Sequence, residues 1–272
     1  MPATIAQRHL TRGALWTLAA LSLCVWGGSE SLAQSATATA PSSDQTASTT
    51  TVNPDNIVRG MASLLTSAQS ITLHIEKSFD VVLEDGAKVQ YSGAADIALR
   101  RPDRIYVIYG DDASAKELWY DGLTFTLFDL THNVYGSVAT APHIDAALDQ
   151  LSAEYGVHLP LAALFSADPY AKYVAGVQSK RYFGLHDVEG IPSHHFLFRG
   201  EHLDWQIWVE AGERPLPRKI VVTYKELEGS PQHSIVLTDW DLEAKLDDEL
   251  FVAEVPEGAV MAEFMAIRKQ DQ

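Results

Sequence analysis

Between Leu73 and Leu242 the apolar residues recur at every second position in one short segment after another, with a single helical interruption. Alternation of this kind places successive side chains on opposite faces of a strand, so each segment predicts a β-strand with one apolar face. Leu73, Ile75, Val81 and Leu83 lead into Glu84-Asp85-Gly86, and Val89, Tyr91, Gly93, Ala95, Ile97 and Leu99 alternate beyond it, which predicts a long antiparallel hairpin. Arg104 to Tyr109 reads as another strand. Leu118 and Tyr120, then Asp121-Gly122, then Leu123, Phe125 and Leu127 repeat the hairpin chemistry, and Asn133 to Val138 adds a further strand. After the interruption, strands are expected at Val177 to Asp187, Ile191 to Arg199, Asp204 to Glu210, Leu216 to Tyr224 and His233 to Leu242. The interruption itself has helical spacing: Ile144, Leu148, Leu151 and Tyr155 after Pro142, then Leu159 to Phe165, then Pro169 to Val174. Ahead of the first strand, Asn53-Pro54 forms an N-cap with proline in the first turn, and Ile57, Met61, Leu64, Leu65 and Ala68 follow as one stripe.

No strand-helix-strand alternation occurs, so the sheet must be antiparallel and meandering. About eleven consecutive strands are too many for a flat open sheet, because right-handed twist accumulates from strand to strand. The expected fold is therefore α+β: a curved antiparallel half-barrel of about eleven strands, with an N-terminal helix and a central helical insert covering the concave face. That face should collect Ile97, Leu99, Ile105, Val107, Leu123, Phe125, Leu127, Phe196, Phe198, Trp205 and Ile207, with Ile220 and Val222 beside them. Together they make either a filled core or an apolar ligand cavity, and periodicity is equally consistent with both.

The chemistry-bearing motifs are absent. There is no Gly-x-Ser-x-Gly, Walker loop, Gly-x-Gly-x-x-Gly or His-Glu-x-x-His, so no enzymatic activity and no cofactor are expected. His194-His195 with Glu201, His202 and Asp204 is the cluster most suggestive of zinc, but neighbouring strand residues face opposite ways, so no metal site is expected there. Asp111-Asp112 and Asp247-Asp248-Glu249 lack calcium-loop spacing and read as exposed turns. Trp119-Tyr120 and Asp204-Trp205-Gln206-Ile207-Trp208 put aromatic side chains on both faces of their strands, more than a one-sided sheet needs.

Net charge narrows the partners. With 20 Lys and Arg against 36 Asp and Glu, the chain carries -16, which opposes the counterion-releasing grip that nucleic acid or an anionic membrane surface requires. Any lipid must be held by apolar contact.

The beginning of the chain reads as an address. Arg8 and Arg12 precede the apolar run Ala14 to Trp26, and Ser31-Leu32-Ala33 is a small-x-small cleavage site, so residues 1-33 are expected to be a secretory signal peptide. Cys24 lies within it; Leu23 stands where a lipobox needs a small residue, which argues against acylation there. Residues 34-52, almost entirely Ser, Thr, Ala, Gln and Pro, are expected to form a flexible linker, and residues 53-267 the folded domain.

A set of short motifs extends over nearly the whole of that domain: Arg101-Pro102-Asp103-Arg104-Ile105, Leu118-Trp119-Tyr120-Asp121-Gly122, Leu127-Phe128-Asp129, Asn133-Val134-Tyr135, Tyr155-Gly156-Val157-His158-Leu159-Pro160-Leu161, His194-His195, Asp204-Trp205-Gln206-Ile207-Trp208 and Pro215-Leu216-Pro217-Arg218-Lys219. As a set they resemble the DUF2092 family of predicted periplasmic proteins, which is similar in architecture to the lipoprotein carrier LolA, the acceptor LolB and the stress regulator RseB. The resemblance implies a periplasmic half-barrel with a helical lid. It assigns no lipid-contacting residue of those proteins to a position in this chain. The reading that follows is a monomeric periplasmic binding protein or carrier for a lipid, lipoprotein acyl chain or other amphiphile. The alternative is a sensor of RseB type that meets an envelope membrane protein.

Overall fold

The computed structural model describes residues 53-157 and 161-264. The expected signal peptide and linker lie outside the described residues, as do the last three residues of the expected domain. Helix α1 (Pro54–Ser67) starts where its sequence requires: the Asn53 side chain accepts a hydrogen bond from the Asp55 amide, and Pro54 occupies the first turn. It buries Val58, Met61, Ala62 and Leu65. Six strands then meander as β1 (Ser70–Val82), β2 (Lys88–Arg100), β3 (Arg104–Asp111), β4 (Ala115–Tyr120), β5 (Thr124–Asp129) and β6 (Val134–Ala139). Helices α2 (Ile144–Tyr155), α3 (Ala162–Phe165) and α4 (Pro169–Val174) follow. The second meander is β7 (Val177–Val188), β8 (Ile191–Gly200), β9 (Leu203–Glu210), β10 (Pro217–Tyr224) and β11 (Gln232–Asp241), and a last short strand is β12 (Val260–Met261).

All twelve strands form one open, curved sheet in the order β12-β6-β5-β4-β3-β2-β1-β11-β10-β9-β8-β7. The two meanders meet where β11 pairs with β1, so strands distant in sequence sit at the centre and β7 is left at one edge. Turn chemistry sets each hairpin. Between β4 and β5, Gly122 takes φ +95° while one Asp121 carboxylate oxygen accepts the amides of Leu123 and Thr124. Between β7 and β8, Glu189 and Gly190 both have positive φ, as a two-residue turn matched to strand twist demands.

Besides the eleven or so strands expected, the described residues contain one more. The missed strand, Val260–Met261, is two residues long and pairs in parallel with β6, far too short to show alternation. It belongs to a strap. After β11 the chain lies against β3 on the outer face, where Phe251 is buried beneath the Arg100 guanidinium. It then pairs along β6 and brings Phe264 to the helix-bearing face, against Phe125 and Tyr155. The acids expected as an exposed turn at Asp247-Asp248-Glu249 run into a 3-10 turn (Asp248–Phe251), with Asp248 paired to Arg100.

Candidate functional site: the helix-bearing face of the sheet

Strand alternation divides the sheet into two faces. One contains Ile71, Leu73 and Ile75 of β1, Ala95, Ile97 and Leu99 of β2, Ile105 of β3, Leu118 and Tyr120 of β4, Phe125 of β5, Phe196 and Phe198 of β8, Trp205, Ile207 and Val209 of β9, and Ile235 and Leu237 of β11. The four helices pack on this face, contributing Val58, Met61, Leu65, Leu148, Leu151 and Leu164 to the same core.

Ten of the eleven residues expected on this face are there: Ile97, Leu99, Ile105, Phe125, Phe196, Phe198, Trp205 and Ile207 are buried, and Val107 and Leu127 pack against them half-buried. The correction is Leu123. It lies in the turn before β5 and is 70% exposed, because Asp121-Gly122 extends the turn by one residue and alternation begins only at Thr124. In this conformation the face is a filled core rather than an open cavity. Phe196, Phe198, Ile207 and Leu99 have 0% exposure, so no water-sized void lies beside them. Phe198 stacks on Trp205 with ring centroids 4.0 Å apart and planes within 2°, and Tyr173 of α4 closes over Trp205 at 5.0 Å. Two clefts among the described residues lie elsewhere. One, of about 810 Å³, lies at the C-terminal end of α1 beside Arg214 and Trp240; the other, of about 500 Å³, lies on the outer face between Glu76 and Asp112.

Polar contacts hold the helical cover down. The Arg101 guanidinium donates to the carbonyls of Phe165 and Leu65, placing a cation at the C-terminal ends of α3 and α1. Asp55 of α1 accepts from the Tyr170 hydroxyl of α4 at 2.6 Å and from the Lys180 ammonium of β7 at 2.5 Å, and Arg59 lies over the Tyr170 ring. Those bonds, Lys180 first and Tyr170 second, hold the Asp55 carboxyl below its ordinary range.

The cover ends before the sheet does. Strands β1 and β2 keep the same alternation past Ile75 and Ala95, in unbroken register, so Lys77, Phe79 and Val81 pair with Gly93, Tyr91 and Val89 on the helix-bearing face. Here the apolar side chains meet solvent: Val81 is 36% exposed, Tyr91 38% and Val89 39%. Phe79 and Tyr91 stack at 5.7 Å, His233 of β11 meets Phe79 edge-on at 5.5 Å, and Tyr224 of β10 meets His233 at 5.4 Å. The Lys77 ammonium sits over two rings, 4.2 Å from the centre of Tyr109 and 5.0 Å from that of Phe79. Burial pulls its pKa below the ordinary lysine value, opposed by the charge of Asp111. Asp111 is itself engaged: burial raises its pKa, but bonds from the Tyr109 hydroxyl and the Ala113 and Ser114 amides outweigh that and hold it at about 2.

This uncovered strip is absent from the residues expected from sequence, although Val81, Val89 and Tyr91 belong to the predicted alternating hairpin. Lys77 interrupts the apolar pattern in β1, and only the position of the helices separates strip from core. The histidine pair divides as strand geometry requires. His194 faces the core side and bonds to the Tyr182 hydroxyl at 3.0 Å, while His195 stacks on Trp208 at 4.0 Å on the outer face. Among the described residues no group of three or more His, Cys, Asp or Glu is arranged to hold a metal ion, and no helix is long and apolar enough to cross a membrane.

Comparison with solved structures finds an uncharacterised conserved protein from Thermus thermophilus, with 8% identity, a TM-score of 0.46, and coverage of 76% of this chain and 97% of that one. The Mycobacterium tuberculosis lipoprotein LppX has 11% identity, a TM-score of 0.45, and coverage of 71% and 97%. MucB, in the Pseudomonas aeruginosa MucA/MucB complex, has 12% identity, a TM-score of 0.39, and coverage of 73% of this chain but 60% of that one. No curated protein matches the sequence. Residues 54–265 match the family described as "Predicted periplasmic protein (DUF2092)", and that match spans both meanders, all four helices and the strap. The chain belongs to the DUF2092 family.

Proposed function

We propose that this protein is a periplasmic, non-enzymatic binding protein or carrier for a lipid, a lipoprotein acyl chain or another amphiphile, exported by residues 1-33. One observation carries the reading: the apolar face of the sheet continues past its helical cover and presents Val81, Val89 and Tyr91, with Phe79 half-buried among them, on an otherwise acidic protein. Exposed apolar surface joined directly to a core costs free energy in water unless a ligand covers it. An acyl chain laid on the strip gains roughly 0.8 kcal/mol for each methylene it buries. Contact on one side only buries about half of each group, and association itself costs several kcal/mol, so the strip alone supports modest affinity. Tighter binding requires the chain to displace α2 to α4 and reach Ile97, Leu99, Phe125, Phe198 and Trp205, which we place at the deep end of the site. Those helices bear on that face through Leu148, Leu151, Leu164 and Tyr173, so an entering chain must replace the apolar contacts it displaces.

The test is titration of the purified protein with cis-parinaric acid, whose fluorescence rises in apolar surroundings, beside the Phe79→Ala and Tyr91→Ala variants. Saturable binding that weakens about tenfold in each variant, a loss of about 1.4 kcal/mol, supports the proposal. Absence of saturable binding to the parent protein refutes it, as does unchanged affinity in both variants.

A further inference from the structure

We infer that Lys77 recognises the anionic head of a single-chain amphiphile, a carboxylate or a phosphate, whose tail lies along the uncovered strip; this rests on the binding role proposed above. Arg59, Arg181 and Lys219 lie over single aromatic rings, and Lys180 with Asp55, Arg199 with Asp204, Arg218 with Glu210, and Lys88 with Asp80 are in ion pairs. Lys77 is not. Among the described residues no carboxylate is in ion-pair contact with its ammonium, which rests on the faces of Tyr109 and Phe79. Asp111, the acid whose charge bears on Lys77, has its oxygens taken by the Tyr109 hydroxyl and by the Ala113 and Ser114 amides. The ammonium thus keeps hydrogen-bond donors for an incoming anion while its stem is already held by rings.

Its position suits a head group. Lys77 stands at the boundary between core and strip, with Ile75 at 8% exposure on one side and the Phe79-Tyr91 stack on the other. From Lys77 to Leu83 the strand advances about 20 Å at about 3.3 Å per residue, comparable to an extended long acyl chain. Gly93, opposite Lys77, leaves room for Tyr109 to lean across: a Cβ there would lie 3.2 Å from the Tyr109 hydroxyl and 2.8 Å from the Gly110 carbonyl. A cation at one end of an apolar strip selects an acid over a neutral amphiphile with the same tail, and does so locally against the general repulsion from a chain of net charge -16.

The experiment compares cis-parinaric acid with its methyl ester, which share a tail and differ in the charge of the head. The parent protein should bind the acid about tenfold more tightly than the ester. Lys77→Met should remove that preference while leaving ester affinity and thermal unfolding unchanged, and Lys77→Arg should retain it. Displacement of the acid by palmitate or by a lysophosphatidic acid, but not by inorganic phosphate, would place the site on a lipid head rather than a free anion. Equal affinity for acid and ester in the parent overturns the inference while leaving the binding role intact, as does a preference that survives Lys77→Met or displacement by inorganic phosphate. Failure of both probes to bind overturns the inference and the binding role together.

Discussion

Replacing Phe198 with alanine separates a packed core from a preformed ligand cavity. Phe198 is fully buried, stacked face to face on Trp205, with Phe196 edge-on at 6.3 Å. Its neighbours are held on adjacent strands of one sheet, so they can move little into the space that a lost ring would leave. Truncating a buried phenylalanine in such a place costs about 3 to 5 kcal/mol, the lost transfer energy plus that of the residual cavity. At about 2 to 4 °C per kcal/mol for a domain of this size, the melting temperature should fall by roughly 10 °C. Tyr91→Ala is the control: at 38% exposure, on the strip, it should cost less than about 1 kcal/mol. Urea unfolding followed by tryptophan fluorescence measures both, and the Phe198 variant should lower the midpoint with little change in slope. A Phe198→Ala cost below about 1.5 kcal/mol would refute the packed-core description, since a residue lining an already open cavity loses far fewer contacts.

Two further predictions concern charge. Because Lys180 and Tyr170 depress the Asp55 pKa, that carboxylate stabilises the fold above its ordinary 3.8, and the contribution is lost as pH falls through the lower folded value. Asp55 is about one-third exposed, so Asp55→Asn should cost only about 1 kcal/mol near neutrality and nothing once the carboxyl is protonated; a stability gap that persists undiminished in strong acid would contradict this. Burial lowers the pKa values of His194, His195 and His233 below the ordinary 6.5, so the folded state favours their neutral forms. Stability should therefore be fully present above about pH 7 and decline as pH falls through 6.5, with exposed His202 beside Glu226 acting in the opposite direction; a flat unfolding profile between about pH 7.5 and 5.5 would rule out the three half-buried imidazoles as determinants.

Local periodicity and turn chemistry were sufficient for the elements themselves. The alternation in β1 and β2, Asp121-Gly122 between β4 and β5, Asn53-Pro54 ahead of α1 and the prolines around α2 to α4 are each decided within a few residues, and the structure has an element at each. The same patterns put Ile97, Phe125, Phe198 and Trp205 on one face, because strand period leaves them no other choice. Leu123 escaped that logic, since one extra turn residue shifts where alternation begins. Tertiary structure alone decided how that face is covered. That β11 pairs with β1 depends on contacts between strands distant in sequence, and so does the strap that turns around β6 to seat Phe264 on Phe125. Where α1 to α4 stop along β1 and β2 is likewise a matter of packing, with no local sequence signal. It buries Ile75 and leaves Phe79 half-buried and Tyr91 at the surface, although all three lie on the same face of the sheet.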